Sequence, residues 1–554
     1  MPPKKKGFIK PKGKAKPKAN DPQTENDFLE AADEEEAGAG KWKAGDPAKA
    51  TRFYNRAIDF YNAGLARYPN SFDLAYNKAN LEYKMSEDER IIAILGNKIR
   101  LLEETLQSHR FALSLNSENT DVLFNTGQVL ASLAEAILEE GSHDEAKIPA
   151  RKFLEEATDI FTQCLDIQVR EYEQIQHDIA QASEAQDDQN TAPSAPPAPT
   201  RRESSASSTS SSAQGEWATV LEPLTPETIL ETCTAQLAAL TTLLGLYDPS
   251  DLLAQEFRAQ TGLSTANTRI PTLITLIPTS PFTKPVDDPA PGPTLSIGST
   301  ANAEEPDSLP RDDALLAAAN FKSNIAELQY RSHQSTAPQY AAQVSQIFAP
   351  LVESPAADTT NDPASKIGIV NALSGHADAL IDLASSVHDM LSSSPSPSNE
   401  EQHEAVETQW TSLTLAQSIL TKLTTPTNPP SLPPLSPSRL ADIFLARGDT
   451  ELFRFRIAAA KPVWAQSRGV LVGNAGVFYR NARAYAGRAG GGEVQRTADA
   501  KAVVAEVLKG VFGAGGAEAV VVNPGWKGRA GNVVGVLGQM VEEGVVGRED
   551  AEGV

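Results

Sequence analysis

Between Ala57 and Gly127 one short pattern occurs twice. The first copy reads A-I-D-F-Y-N-A-G-L-A-R-Y-P-N-S-F-D-L-A-Y-N-K-A-N; it sets Ala57, Tyr61 and Gly64 on one helical face, followed by Pro69-Asn70, Asn77 and Ala79. The second reads H-R-F-A-L-S-L-N-S-E-N-T-D-V-L-F-N-T-G-Q-V-L, with Ala112, Leu115, Leu123, Asn125, Gly127 and Leu130 at matching offsets. Small residues that recur opposite large ones at helical spacing require helices that cross closely, which is the unit of a helical hairpin repeat. A third copy, E-A-T-D-I-F-T-Q-C-L-D-I, repeats the order small, aromatic, small, aliphatic at Ala157, Phe161, Cys164 and Ile167. The interval is 48 residues from Gly64 to Ala112 and 52 from Ala112 to Cys164, so the units are long.

Charge and composition bound what such a chain can meet. Of its 554 residues 38 are proline, and its net charge is −23 with a pI near 4.8. That acidity opposes nonspecific attraction to nucleic-acid backbone and favours a cationic protein partner, besides keeping the chain in solution. Cys164 and Cys233 are the only cysteines, which leaves no disulfide framework and no Cys-rich zinc site and fits a reducing compartment. No run approaches the roughly 20 apolar residues of a membrane span, so we expect a soluble protein of the nucleus, the cytoplasm or both, with no membrane partner.

Composition also divides the chain. Residues 1–40 read as a disordered arm, basic then acidic: residues 1–18 hold eight lysines and no acid, and Asp21 to Glu36 hold eight carboxylates and no base. The lysine cluster has the spacing of a nuclear import signal or a nucleic-acid-contacting tail. Helical spacing nevertheless begins near Asn26, with Phe28, Leu29 and Ala32. Residues 41–182 hold the repeats: Asp46 caps a helix from Pro47 to Tyr68, Phe72 to Lys84 follows, and Glu87 to Leu115 reads as one unusually long helix. Residues 183–215, rich in Ser and Pro, read as a disordered linker in which Arg201-Arg202 before Ser204 resembles a basophilic kinase site. Residues 216–425 continue the helices, with Thr225-Pro226-Glu227 opening one whose Ile229, Cys233, Leu237, Leu240 and Leu244 face inward, and with a proline-studded loop from Pro271 to Asp307. Pro-rich residues 426–437 then lead to a helical, Gly-rich cap region, 438–554. There the Ala-Arg-Gly-Asp stretch at 446–449 reads as a bend, and nine Arg/Lys between Arg439 and Arg488 outnumber Asp442, Asp449 and Glu451. These cations can meet the acidic repeats or an acidic partner.

Nothing in the sequence assembles a reaction. The seven histidines are scattered without the His-Glu-x-x-His spacing of a metallohydrolase, and His143-Asp144-Glu145 lacks a convergent fourth donor. Gly513 to Val522 and Gly525 to Asn532 match neither a dinucleotide fingerprint nor a Walker loop, and no Gly-x-Ser-x-Gly elbow occurs. We therefore expect no enzyme, no cofactor and no metal.

The repeated pattern resembles the tetratricopeptide repeat, whose standard unit is about 34 residues. The resemblance implies an all-α fold: a divergent TPR-like α-solenoid of helical hairpins carrying long disordered Ser/Pro-rich insertions. It also implies that the first helix of each hairpin lines a concave protein-binding groove, which would present Asp73, Tyr76, Asn77 and Asn80, then Asp121, Phe124, Asn125 and Gln128, with Tyr172, Glu173 and Gln176 in a third unit. One subset of the family grips the C-terminal carboxylate of heat-shock chaperones with lysines, an arginine and asparagines. Asn80 and Asn125 match the asparagines, but Tyr76 stands where a lysine is needed, so a carboxylate clamp is not expected. An aromatic, acidic groove suits a basic client that offers Lys/Arg and apolar side chains. The expectation is an adaptor or escort, such as a nuclear or nucleolar chaperone for a ribosomal or chromatin protein; the alternative is a regulatory subunit or general cytoplasmic scaffold of a multiprotein complex.

Overall fold

A computed structural model describes residues 22–140, 143–190, 224–247, 251–279, 308–352, 363–393, 398–425, 432–512 and 530–551. The lysine stretch 1–18, the Ser204 site, most of the Ser/Pro and Pro-rich linkers and Gly513 to Val522 lie outside these residues, as do Gly141 and Ser142. Every regular element among the described residues is helical. The chain divides into two compact units, Met1–Cys164 and Leu165–Val554.

The first unit holds α1 (Glu25–Gly40), α2 (Pro47–Arg67), α3 (Phe72–Ser86), α4 (Glu89–Leu95), α5 (Lys98–Leu115), α6 (Thr120–Glu140) and the start of α7 (His143–Asn190). The acidic half of the expected arm is thus a helix. Thr24 and Asp27 form a capping box at its N-terminus, and Phe28, Ala32 and Ala39 along one face are buried. Charge density misled the sequence reading because most of the acids lie on exposed or half-buried positions around the narrow apolar stripe of Phe28, Ala32 and Ala39. Two of them also bind α2 directly: Tyr61 donates to Glu36 at 2.7 Å, and Arg56 pairs with Glu35 at 3.0 Å.

Three antiparallel hairpins result, α1/α2, α3/α5 and α6/α7. The first two sequence copies each begin on the second helix of one hairpin and end on the first helix of the next, whereas the third lies wholly within α7; that framing is why α1 fell outside the pattern. The expected long helix at Glu87–Leu115 is two helices. Gly96 adopts φ 107°, a left-handed conformation that other residues resist, and the Asn97 side chain caps α5 by accepting from Arg100 N–H at 2.8 Å. The small residues act as the pattern requires: a β-carbon on Gly127 would stand 2.6 Å from Phe161, and one on Gly64 would stand 2.9 Å from Leu74.

In the second unit come α8 (Pro226–Leu244), α9 (Leu252–Ser264), a π-helical turn (Thr265–Arg269), α10 (Ile270–Leu276), α11 (Pro310–Arg331), α12 (Ala337–Val352), α13 (Pro363–Ser393), α14 (Asn399–Thr424), α15 (Pro437–Ile457), α16 (Pro462–Ala465), α17 (Arg468–Arg488), α18 (Glu493–Phe512), α19 (Ala530–Glu542) and α20 (Arg548–Ala551). Thr225 caps α8, and Ile229, Cys233, Leu237, Leu240 and Leu244 are buried. Helix α10 begins the stretch read as a loop from Pro271; it continues directly from the π-helical turn, where Ile270 N–H donates to the Thr265 carbonyl. A core of Tyr330, Tyr340, Val344, Phe348, Leu380 and Leu383 joins α11, α12 and α13.

The expected bend at Ala446–Asp449 lies inside α15. Gly448 is there for close approach, since a β-carbon would meet Tyr479 of α17 at 2.3 Å. Asp449 then accepts from Tyr479 Oη at 2.7 Å and from the buried Lys501 Nζ at 2.9 Å. The basic block is engaged inside its own unit. Arg447 lies 4.0 Å from the Phe478 ring centre, Arg454 4.8 Å from Trp410 and Arg468 4.2 Å from Phe455, while Arg483 pairs with Asp499 at 2.6 Å and Arg480 pairs with Glu506.

Glycine to alanine inside a helix normally stabilises it by about 1 kcal/mol. For Gly448→Ala we expect the reverse, a loss of about 1–3 kcal/mol in urea unfolding, because Tyr479 is fully buried and hydrogen-bonded and cannot yield.

Candidate protein-binding face on helices α3 and α6

The first helices of two successive hairpins, α3 and α6, lie side by side. Asn125 Nδ2 donates to Tyr76 Oη at 3.1 Å, and the Tyr83 and Ser132 hydroxyls lie 3.3 Å apart. Both pairs are 49 residues apart in sequence. A constant offset that advances in the same direction on both helices makes them parallel and fixes their register. Ser71 begins α3 by accepting from Leu74 N–H, and Asn119 accepts from Val122 N–H at 3.0 Å ahead of α6, so both helices start at the same end of the face.

Helical spacing then sorts the expected residues. Asp73 and Asp121 stand exposed in the first turns, and Asn77, Asn80 and Gln128 are half-buried along the same stripes. Tyr76 stacks on Phe72 with ring centres 5.8 Å apart and packs against the cluster of Ala75, Ala112 and Val122. Phe124 leans on Phe161 of α7 at 6.0 Å, so much of its ring serves the α6/α7 hairpin. Tyr172, Glu173 and Gln176 do not open a third first helix. They continue α7 beyond Cys164, and Tyr172 is buried. The physical reason is that no residue after Cys164 breaks the helix: from Leu165 to Asn190 there is neither proline nor glycine.

Sequence reasoning missed Tyr83, Ser132, Glu87 and Glu135. The signal was present, since Glu87 and Glu135 are 48 residues apart, as are Asp73 and Asp121. Burial pushes the Tyr76 and Tyr83 hydroxyls up to about 12, with Asp121 adding to the first, and Glu87 and Glu135 to the second. Both phenols therefore remain neutral at physiological pH. The face carries acids at its two ends, with the exposed Lys84 beside Glu87, and neutral hydroxyl and amide groups between them. Such a surface binds cations and hydrogen-bonding groups; it holds no nucleophile paired with a base. Among the described residues no three His, Cys, Asp or Glu side chains gather where a metal ion could sit.

The described residues thus define an all-α protein of packed helical hairpins. No family model matches the chain. It is similar to UPF0656 protein C926.02 of Schizosaccharomyces pombe, at 34% identity over 158 residues, which is 28% of this chain and 33% of that protein. The chain spans about a third of the length of that curated relative. Among solved structures, a structure of Naa15/Naa10 bound to HypK-THB aligns with 92% of this chain and 63% of that chain at 10% identity; its TM-score is 0.13, too low to carry an argument.

His109 of α5 is fully buried beneath the face, edge-on to Tyr83 with ring centres 6.4 Å apart. Burial lowers its pKa to about 4. Between that value and the ordinary 6.5 the unfolded chain binds a proton that the folded chain refuses, so stability falls as pH drops through this window. Thermal unfolding at pH 4.5 and 7.5 should show the wild type losing about 2 kcal/mol more than His109→Phe.

Proposed function

We propose that this chain acts without catalysis as a protein-binding adaptor or escort, and that the α3/α6 face receives a basic client. What supports this reading is the distribution of charge over two parallel helices: Asp73 and Asp121 at one end, Glu87 and Glu135 at the other, and neutral tyrosines between them. A client segment with Lys/Arg at both ends and apolar or aromatic groups between them complements that pattern. Tyr76 engages Asn125, one of the two asparagines a carboxylate clamp would use, and neither helix offers a cation at Tyr76's position. A heat-shock carboxylate client is therefore not part of the proposal, nor is a specific nucleic acid, a membrane or a cofactor. The tetratricopeptide-like reading of the hairpins belongs to the same proposal. So does work in the nucleus or cytoplasm as a chaperone for a ribosomal or chromatin protein.

Affinity capture of the tagged full chain with quantitative mass spectrometry tests this. A Lys/Arg-rich client should be enriched, and Asp73→Lys with Asp121→Lys should reduce its recovery at least tenfold, since like charges across an interface repel. Equal recovery with the double variant, or enrichment of no basic protein, overturns the reading.

A further inference from the structure

We propose that the chain's own lysine-rich stretch, residues 1–18, occupies the α3/α6 face and competes with the client; this rests on the reading of that face as a site for cationic segments. The described chain begins at Pro22, and its starting point is fixed beside the face. The Pro22 carbonyl accepts from Arg67 Nη1 at 3.0 Å, the Gln23 carbonyl accepts from Tyr68 Oη at 2.7 Å, and Ser71 donates to Glu25. Ser71 caps α3, two residues before Asp73. The 21 preceding residues reach up to about 70 Å when extended. The face from Asp73 to Glu87 is about 21 Å long. Reach is therefore ample, and tethering at this point gives the stretch a high local concentration over the face.

Chemistry selects the same occupant. The stretch carries eight lysines and, among them, the apolar pair Phe8-Ile9. Cations with an apolar group between them are what the face was argued to receive. Asp73, Glu87 and Glu135 are exposed and make no ion pair among the described residues. The rival acids on α1 are largely engaged: Asp27 in the capping box, Glu25 with Ser71, Glu35 with Arg56 and Glu36 with Tyr61.

The probe is a fluorescent peptide copying residues 1–21, titrated by anisotropy into the full chain and into a full chain whose eight lysines are changed to glutamine. Freed of its competitor, the glutamine chain should bind the peptide at least tenfold more tightly. Adding Asp73→Lys and Asp121→Lys should abolish that gain, as should the milder Asp73→Asn with Asp121→Asn, whose folding is checked by thermal unfolding. Equal affinity for the two chains overturns the proposal; a gain that survives both groove variants also overturns it, by placing the peptide elsewhere. Client capture separates this result from the adaptor reading. A client lost on groove mutation but indifferent to the lysines upholds the face and removes the competing arm. A peptide displaced from the face with no basic client enriched does the opposite.

Discussion

The fold depends on helices that approach one another more closely than ordinary side chains permit. At Gly127 against Phe161 and Gly448 against Tyr479 a β-carbon would collide with a buried ring. Dense packing of this kind gives each aromatic ring many dispersion contacts, and the crossing tolerates little change in volume. The same device recurs in each unit with different partners.

Close crossings also explain how polar groups become buried without disorder. Once Gly448 lets α17 approach α15, Asp449 lies within reach of Tyr479 and Lys501 and meets both. Left alone, either charge would carry a large desolvation penalty; paired and hydrogen-bonded, they lock the register of three helices. At the α3/α6 face the same logic is milder. Tyr76 and Tyr83 contribute apolar bodies to the packing and point hydroxyls at Asn125 and Ser132, so the face is rigid in its middle and charged at its ends.

Local signals were the legible ones. Asp46 and Thr225 were read at helix starts, and they stand there, because capping preferences act over a few residues. The inward stripe of α8 followed from its 3.6-residue period. Where the reading failed, one signal had two physical meanings. Acidic α1 looked like a solvated arm, since charge does not show which face of a helix is covered. Gly448 looked like a turn because glycine serves both turns and close approach.

The sequence by itself determined an all-helical chain, the small-against-large pattern of its hairpins, and a candidate face at Asp73, Tyr76, Asn77, Asn80, Asp121, Phe124, Asn125 and Gln128. Those properties depend on periods and offsets that are written along the chain. Only the tertiary structure decided which helices pair, that Tyr76 engages Asn125, that Tyr83, Ser132, Glu87 and Glu135 extend the face, and that α7 runs on where a third unit was expected. The pairings are relations between residues some 50 positions apart, which no local preference records, and the length of α7 follows from the lack of a helix breaker, which marks no boundary by itself.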